Sequence, residues 1–496
     1  MGRGTGFLVV VAWVVACGGD AGDGSSGAAS SGGVEPTGAA GTTGGTTAAS
    51  GEPTGEAGTT AVGESGEASS DGGGSESGGV IECGADCHYV RAGAAGSGVD
   101  WDDALPALPE VLERGHVYFV AAGEYAGYTF DDAEAGEAAI VVRRATEEDH
   151  GTEAGWHPGY GIGEARFGPL AFVSGRYEVD GRGTTRAVGA FAGTVVDIAA
   201  DAVTFRGFEV DGAFALENGL HVGGACTGMA IAGDGVVVAG NRIHDAADDG
   251  VVIAGAANLS FAGNTVHTLH GCGTDGGCGP CYNGHSDGLE LFAVVDSEIV
   301  GNYVYDMTST SAVFFGNWAD ELGMGPADYC ENVLLANNIL YSPETGFVAY
   351  IEDARGVEVI NNVLWGLHMG AYGGLSIGVN VQDLDLFNNV ILSINYTHIG
   401  GMFDPAEHRG DYNAFAYSLG QWQDGPHDVV AVDPLFAGVP GGEGPAVEAP
   451  GAADFTPQDG SPLRDAGFAG DGEIVPPATD FFGAPRDGTP NLGAIE

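Results

Sequence analysis

The chain has 496 residues, 69 acidic and 15 basic, for a formal net charge of −54 at pH 7. Every basic residue is Arg, so chemistry that needs lysine is excluded: Schiff bases, P-loops and lysine general bases. So acidic a chain is not expected to bind nucleic acid or an anionic membrane surface, and its 90 Gly follow no three-residue period that would make a collagen.

Residues 1–17 read as an export signal. Phe7 to Ala16 is an apolar run behind Arg3, too short to span a bilayer but suited to a signal-peptide core. The run ends Val14-Val15-Ala16-Cys17 and resembles a bacterial lipobox, which implies cleavage and a lipid on Cys17. The alternative is an ordinary secretory signal. Residues 18–80 hold Gly, Ser, Thr, Ala and acidic residues with no aromatic or basic side chain. Such a segment buries too little apolar surface to offset its chain entropy, and it reads as a disordered tether. The expected location is therefore outside the cell, lipid-anchored at the envelope or surface, or secreted.

Seven cysteines follow Cys17: Cys83, Cys87, Cys226, Cys272, Cys278, Cys281 and Cys330. Cys83 and Cys87 sit where the tether ends and are placed to pin the start of the fold. Three lie in the insert "HGCGTDGGCGPCYNGH", from His270 to His285. A zinc knuckle is one reading of that spacing. A disulfide-stapled loop reaching Cys226 or Cys330 is the other, and an oxidising compartment favours it. Seven is odd, so either one thiol is free or this pairing is incomplete.

From about residue 140 the sequence repeats. "VVVAGNRIHD", "LSFAGNTVHT", "SEIVGNYVYD", "VLLANNILYS", "VEVINNVLWG" and "LDLFNNVILS" each place an Asn between two short strands. The anchors are Asn241, Asn264, Asn302, Asn338, Asn362 and Asn389, with gaps of 23 to 38 residues. The short gaps hold three strands and three turns with no helical period, as a stacked solenoid requires. An Asn at one turn of every coil hydrogen-bonds its stacked copies.

This Asn-laddered repeat resembles the right-handed parallel β-helix of the pectate-lyase-like superfamily. "FVSGRYEVDG" and "VTFRGFEVDG" look like earlier coils with an aromatic residue in place of Asn. The expected organisation is a cap with leading strands at 83–139, including a short amphipathic helix near Asp102–Glu113, then coils at 140–435 and a tail or cap at 436–496. The resemblance implies an all-β fold and an extracellular polysaccharide as partner, with lyases, hydrolases, epimerases and adhesins all on this scaffold. A monomer is expected.

Chemistry must come from the coils. Asp249 and Asp287 each lie 15 residues before a ladder Asn, and Gly follows both, so they should stack on adjacent coils. Two carboxylates one strand apart repel unless a proton, a cation or a hydrogen bond intervenes. Asp248 and Glu290 add acids to the patch, and His285 precedes Asp287 by two residues. His221 is read into the Glu290 column one coil earlier, and, since lyases on this scaffold abstract a proton with Lys or Arg and Lys is absent, Arg242 or Arg206 is the candidate base of a lyase. The string "GHSDGLEL" resembles the Asn-Thr-Asp-Gly stretch of polygalacturonase-type hydrolases, with Asp287 at its Asp. The adjacent pair Asp248-Asp249 lies on the preceding rather than the following coil, and the family's Arg-x-Lys motif is missing. Three readings stay open for the patch. Asp249, Asp287, His285 and Glu290 are catalytic, with His221, Asp248 and Arg242 binding substrate and no cofactor; or Asp249, Asp287 and Glu290 hold calcium; or the acids are a solvated face.

Three residues after each anchor comes a second column: His244, His267, Tyr305, Tyr341, Trp365 and Leu392. It should face outward or lie under a loop, as mutual packing or as a platform for sugar rings. Inserts near 223–235, 269–284 and 316–331 should wall a groove along one sheet, with the acids on its floor. The expected function is an exported polysaccharide hydrolase or lyase; the alternative is a non-catalytic adhesin or glycan-binding protein.

Overall fold

The computed structural model describes residues 86–496 except 218–219, 272–280, 282–285, 308–309, 317–328, 343–347, 367–373, 394–398, 402–405, 407, 416–424, 431, 440–449 and 487. The export signal with Cys17, the tether and Cys83 lie outside these residues. So do Cys272, Cys278 and His285.

The described chain is a right-handed parallel β-helix with no α-helix. One sheet stacks ten parallel strands, among them Thr194–Ile198, Thr227–Ile231, Val251–Ala254, Leu289–Phe292, Val313–Gly316, Ala349–Ile351 and Leu375–Ile377. A larger sheet bends at each coil to make the remaining two faces. Period-2 alternation sets what each strand buries. In the ten-stranded sheet Val251, Leu289, Val313, Ala349 and Leu375 align, as do Ile253, Leu291, Phe315, Ile351 and Ile377. All ten are fully buried and fill the interior. The residues between them, Val252, Glu290, Phe314, Tyr350 and Ser376, form the outward column of the same sheet.

The bend in the larger sheet carries the Asn ladder. Each anchor's backbone N–H donates to the next anchor's Oδ1 at 2.9–3.0 Å, and its Nδ2 donates to the same oxygen at 3.0–3.1 Å. The column runs one coil beyond the six anchors to Asn413, whose backbone N–H donates to Asp428 Oδ1 at 2.8 Å. At the other end Phe208 occupies the turn and its N–H donates to Asn241 Oδ1. The preceding position needs a positive φ. Gly240, Gly263 and Gly301 meet that need in early coils, Asn337, Asn361 and Asn388 in later ones. The Asn choice serves the C-terminal segment: Asn337 Nδ2 donates to Thr479 O, Asn361 Nδ2 to Gly493 O and Asn388 Nδ2 to Phe468 O.

That segment also explains the second column. Tyr341 and Trp365 are fully buried, and their rings meet Phe455 and Phe436 edge-on. These rings are packed under the tail and offer no platform to a sugar.

Two expectations are corrected. Asp102–Glu113 is turn and bend rather than helix. Pro106 and Pro109 remove backbone donors there and extend the residues before them, and Leu105 makes a parallel bridge to Val90 instead. The stack also begins before residue 140: Cys87–Val90, Val117–Val120 and Ile140–Arg144 already pair in parallel, so the leading strands are themselves coils.

Candidate functional site

Asp249 and Asp287 occupy the same turn of adjacent coils, two residues before the aligned Val251 and Leu289. The Gly after each is required by close approach. A Cβ on Gly250 would lie 2.7 Å from Gly288 O, and one on Gly288 would lie 2.5 Å from Ala312 O. The column continues to Ser311, which the sequence reading missed because the Asp-Gly pair is replaced there by Ser-Ala. Asp287 N–H donates to Asp249 Oδ1 at 2.9 Å, and Ser311 N–H donates to Asp287 Oδ1 at 2.7 Å. The Ser311 hydroxyl bonds that same Asp287 oxygen. The offset from the apolar strand, rather than the Asp-Gly pair, was the signal that would have found Ser311.

One oxygen from each of Asp249, Asp287 and Glu290 lies within 4.8 Å of the others. None of the three residues is more than 3% exposed, and Asp248 is 8% exposed. The expected open floor of acids is therefore a buried cluster. Burial pushes the Asp248 carboxyl up to about 10, with the charges of Asp249 and Asp287 adding to the shift. Burial, then Asp249 and Asp287, likewise holds Glu290 well above the ordinary carboxylate range. Crowding of like charges in a buried place favours a shared proton or a metal ion between them. Ser286 Oγ and Thr310 Oγ1, in the Asp248 column, are buried without a hydrogen-bond partner among the described residues.

The insert is stapled beside this cluster. Cys226 and Cys281 form a disulfide, Cys281 packs on Ala247, and Asp248 N–H donates to Cys226 O at 2.9 Å. A zinc knuckle using Cys281 is thereby ruled out. Cys87 is disulfide-bonded too, and among the described residues Cys330 is a buried free thiol.

Three sequence-based placements fail. His221 is not in the Glu290 column. Its strand Leu220–Gly223 pairs antiparallel with Ala215–Glu217 in a hairpin, and the column position belongs to Ala230. The region 223–235, read as an insert, holds the coil strand Thr227–Ile231, and the insertion is the hairpin before it. Arg242 lies on the larger sheet, paired to Glu209 at 3.1 Å, and Arg206 on that sheet pairs with Glu178 at 2.8 Å. Neither belongs to the sheet that carries Glu290.

No family model and no curated sequence matches the chain. Among solved structures, the pectate lyase Pel9A is 16% identical with a TM-score of 0.50, and the match covers 83% of this chain and 96% of that one. XylC in complex with xylose follows at 10% identity and a TM-score of 0.44, covering 82% and 98%. The surface adhesin PfbA of Streptococcus pneumoniae matches at 10% identity and a TM-score of 0.32, covering 68% and 93%. What the likeness to Pel9A establishes for this chain is the fold, a right-handed parallel β-helix of the kind seen in pectate lyase.

Proposed function

We propose that this is an exported, lipid-anchored monomer that engages an acidic polysaccharide through a calcium ion held by Asp249, Asp287 and Glu290, with Asp248 alongside. The observation that carries the reading is the convergence of three buried carboxylates within 4.8 Å, beside a fourth acid. Calcium takes six to eight oxygen ligands at about 2.3–2.6 Å, and a carboxylate-rich, oxygen-only donor set suits it. A bound ion supplies the positive charge that an acidic wall needs before a uronate can approach it. The outward column supports a glycan surface next to the cluster: Phe314 and Tyr350 continue the Glu290 line, with ring centroids 5.4 Å apart.

A second reading rests on one observation. Burial and the neighbouring carboxylates raise the Glu290 carboxyl well above its ordinary range beside Asp287, and a retaining glycosidase pairs an acid of raised pKa with a carboxylate nucleophile about 5 Å away. A panel of neutral and uronic polysaccharides, with calcium or with a chelator, separates the two. Binding or cleavage of a uronic polymer that chelation abolishes is the expected result. New reducing ends on a neutral glycan that persist under chelation would establish the hydrolase. Binding without products in calcium defines a glycan-binding protein, and indifference to every uronic polymer would sink the proposal.

A further inference from the structure

The two sheets differ in where they keep positive charge. Every Arg on a described strand belongs to the larger sheet, and the strands of the ten-stranded sheet hold no Arg, Lys or His. The bias extends to the loops. Residues 243–354, which hold the acid cluster and the coils after it, contain no Lys or Arg but sixteen Asp and Glu. On the strands of this sheet, then, only a bound cation can meet a sugar carboxylate with positive charge.

Beyond Glu290 the outward column turns aromatic. Phe314 and Tyr350 sit one and two coils further on, half-buried, with rings parallel to within 10°. Two residues along each strand runs a second outward line, Phe292, Gly316, Glu352 and Gly378. Its glycines make room for the rings. A Cβ on Gly316 would lie 2.6 Å from Phe314 Cζ, and one on Gly378 would lie 2.8 Å from Tyr350 Oη. The Tyr350 hydroxyl donates to Glu352 Oε2 at 2.8 Å, which fixes that half-buried carboxyl beside the rings. Asp353 follows it, and its charge bears on Glu352. On the other side of Glu290 the column is Val252 and Ala230, which offer neither a ring nor a side-chain hydrogen bond.

We propose that the polysaccharide is a mixed one, in which the uronate at the calcium ion is followed by a neutral sugar seated on Phe314, Tyr350 and Glu352. This rests on the calcium reading above and narrows its substrate class. Coils are about 4.8 Å apart, close to the advance of one pyranose unit, so the units next to the uronate lie over the two rings. In a homopolymer of uronates each of those units brings another carboxylate against Glu352 and Asp353. Salt screens charges over about 8 Å under physiological conditions, further than that spacing, so the repulsion is felt in full. A neutral pyranose lays its C–H groups on the rings and donates a hydroxyl to Glu352. The acids thus select by excluding the second charge as much as by binding the sugar.

The probes are oligomers of galacturonate, mannuronate and glucuronate, each fully ionised, partly methyl-esterified and fully methyl-esterified. Esterification removes charge and keeps the backbone. Isothermal titration into the full chain in saturating calcium should show a partly esterified chain binding at least about tenfold more tightly than its ionised parent. Added salt should narrow that gap, and full esterification should abolish binding by leaving no carboxylate for the ion. Tyr350→Ala should weaken the partly esterified chain at least about tenfold, and Glu352→Gln should close the gap by admitting the ionised one. Calcium titration without glycan checks that each variant still loads the ion. Ionised chains that bind as tightly as partly esterified ones, or affinities that ignore both substitutions, would overturn the inference while calcium-dependent binding survived. No calcium-dependent binding of any chain would instead remove the calcium reading, and this inference with it.

Discussion

Two columns of side chains run between the coils of this β-helix, one of amides and one of acids, and they meet the same spacing with opposite results. An Asn amide both donates and accepts, so each ladder member satisfies its neighbour and the next can be added without limit. A carboxylate only accepts. Asp249 and Asp287 each receive a backbone N–H from the next coil, yet every added acid also adds charge to a buried place. The acid column therefore stops after two members and passes to Ser311. Stacking geometry alone makes a structural column; the donor and acceptor count decides whether it also makes a site.

Breaking the amide column should have the largest effect. Asn338→Ala removes the acceptor for two Asn302 groups and the donor to Asn362, all buried. At about 1–3 kcal/mol for each group left unsatisfied, the loss should be about 3 kcal/mol or more, measured by denaturant unfolding. Unchanged stability would remove the ladder from any structural role.

The acid column should respond to pH instead. The Asp248 carboxyl is raised from its ordinary 3.8 to about 10, so the folded state holds a proton that the unfolded state has lost. In the metal-free chain the contribution of Asp248 to stability should be fullest below about 4 and be lost as pH rises toward about 10. Glu290 is raised too and adds in the same direction. His267 works the other way at low pH. Burial lowers it from 6.5 to about 3, so its contribution is lost as pH falls through that window. Melting temperatures with a chelator should therefore decline above neutrality, and saturating calcium should flatten the decline. A flat profile without calcium would show that the acids are not in competition for protons.

The smallest effect is expected at Asn337→Gly. Gly keeps the left-handed φ of 53° but loses the bonds to Thr479 O and Arg486. A loss of about 1 kcal/mol is expected from the hydrogen bonds, confined to docking of the C-terminal segment, and hydrogen exchange there would report it. Exchange that is unchanged in this segment would mean Asn337 does not hold it.

The ladder and the stacking of Asp249 on Asp287 were legible because both repeat a residue type at a fixed offset from an apolar strand. Glycine made the second visible: Gly250 and Gly288 leave no room for a Cβ. Burial of the acids was not legible, since it depends on what covers a column rather than on the column. His221 was misplaced because an antiparallel hairpin, Ala215–Gly223, interrupts the coil and mimics its alternation.

The account rests most heavily on the acid column holding calcium. Isothermal titration of the full chain, beside Asp249→Asn and Asp287→Asn, tests it directly. These substitutions keep an oxygen for each backbone N–H and turn the acid column toward an amide one. The parent should bind one calcium ion tightly and melt higher with it, while each variant loses that binding and is as stable as the parent or more so when metal-free. Calcium binding that survives both substitutions, or a parent whose melting temperature ignores calcium, would contradict the account.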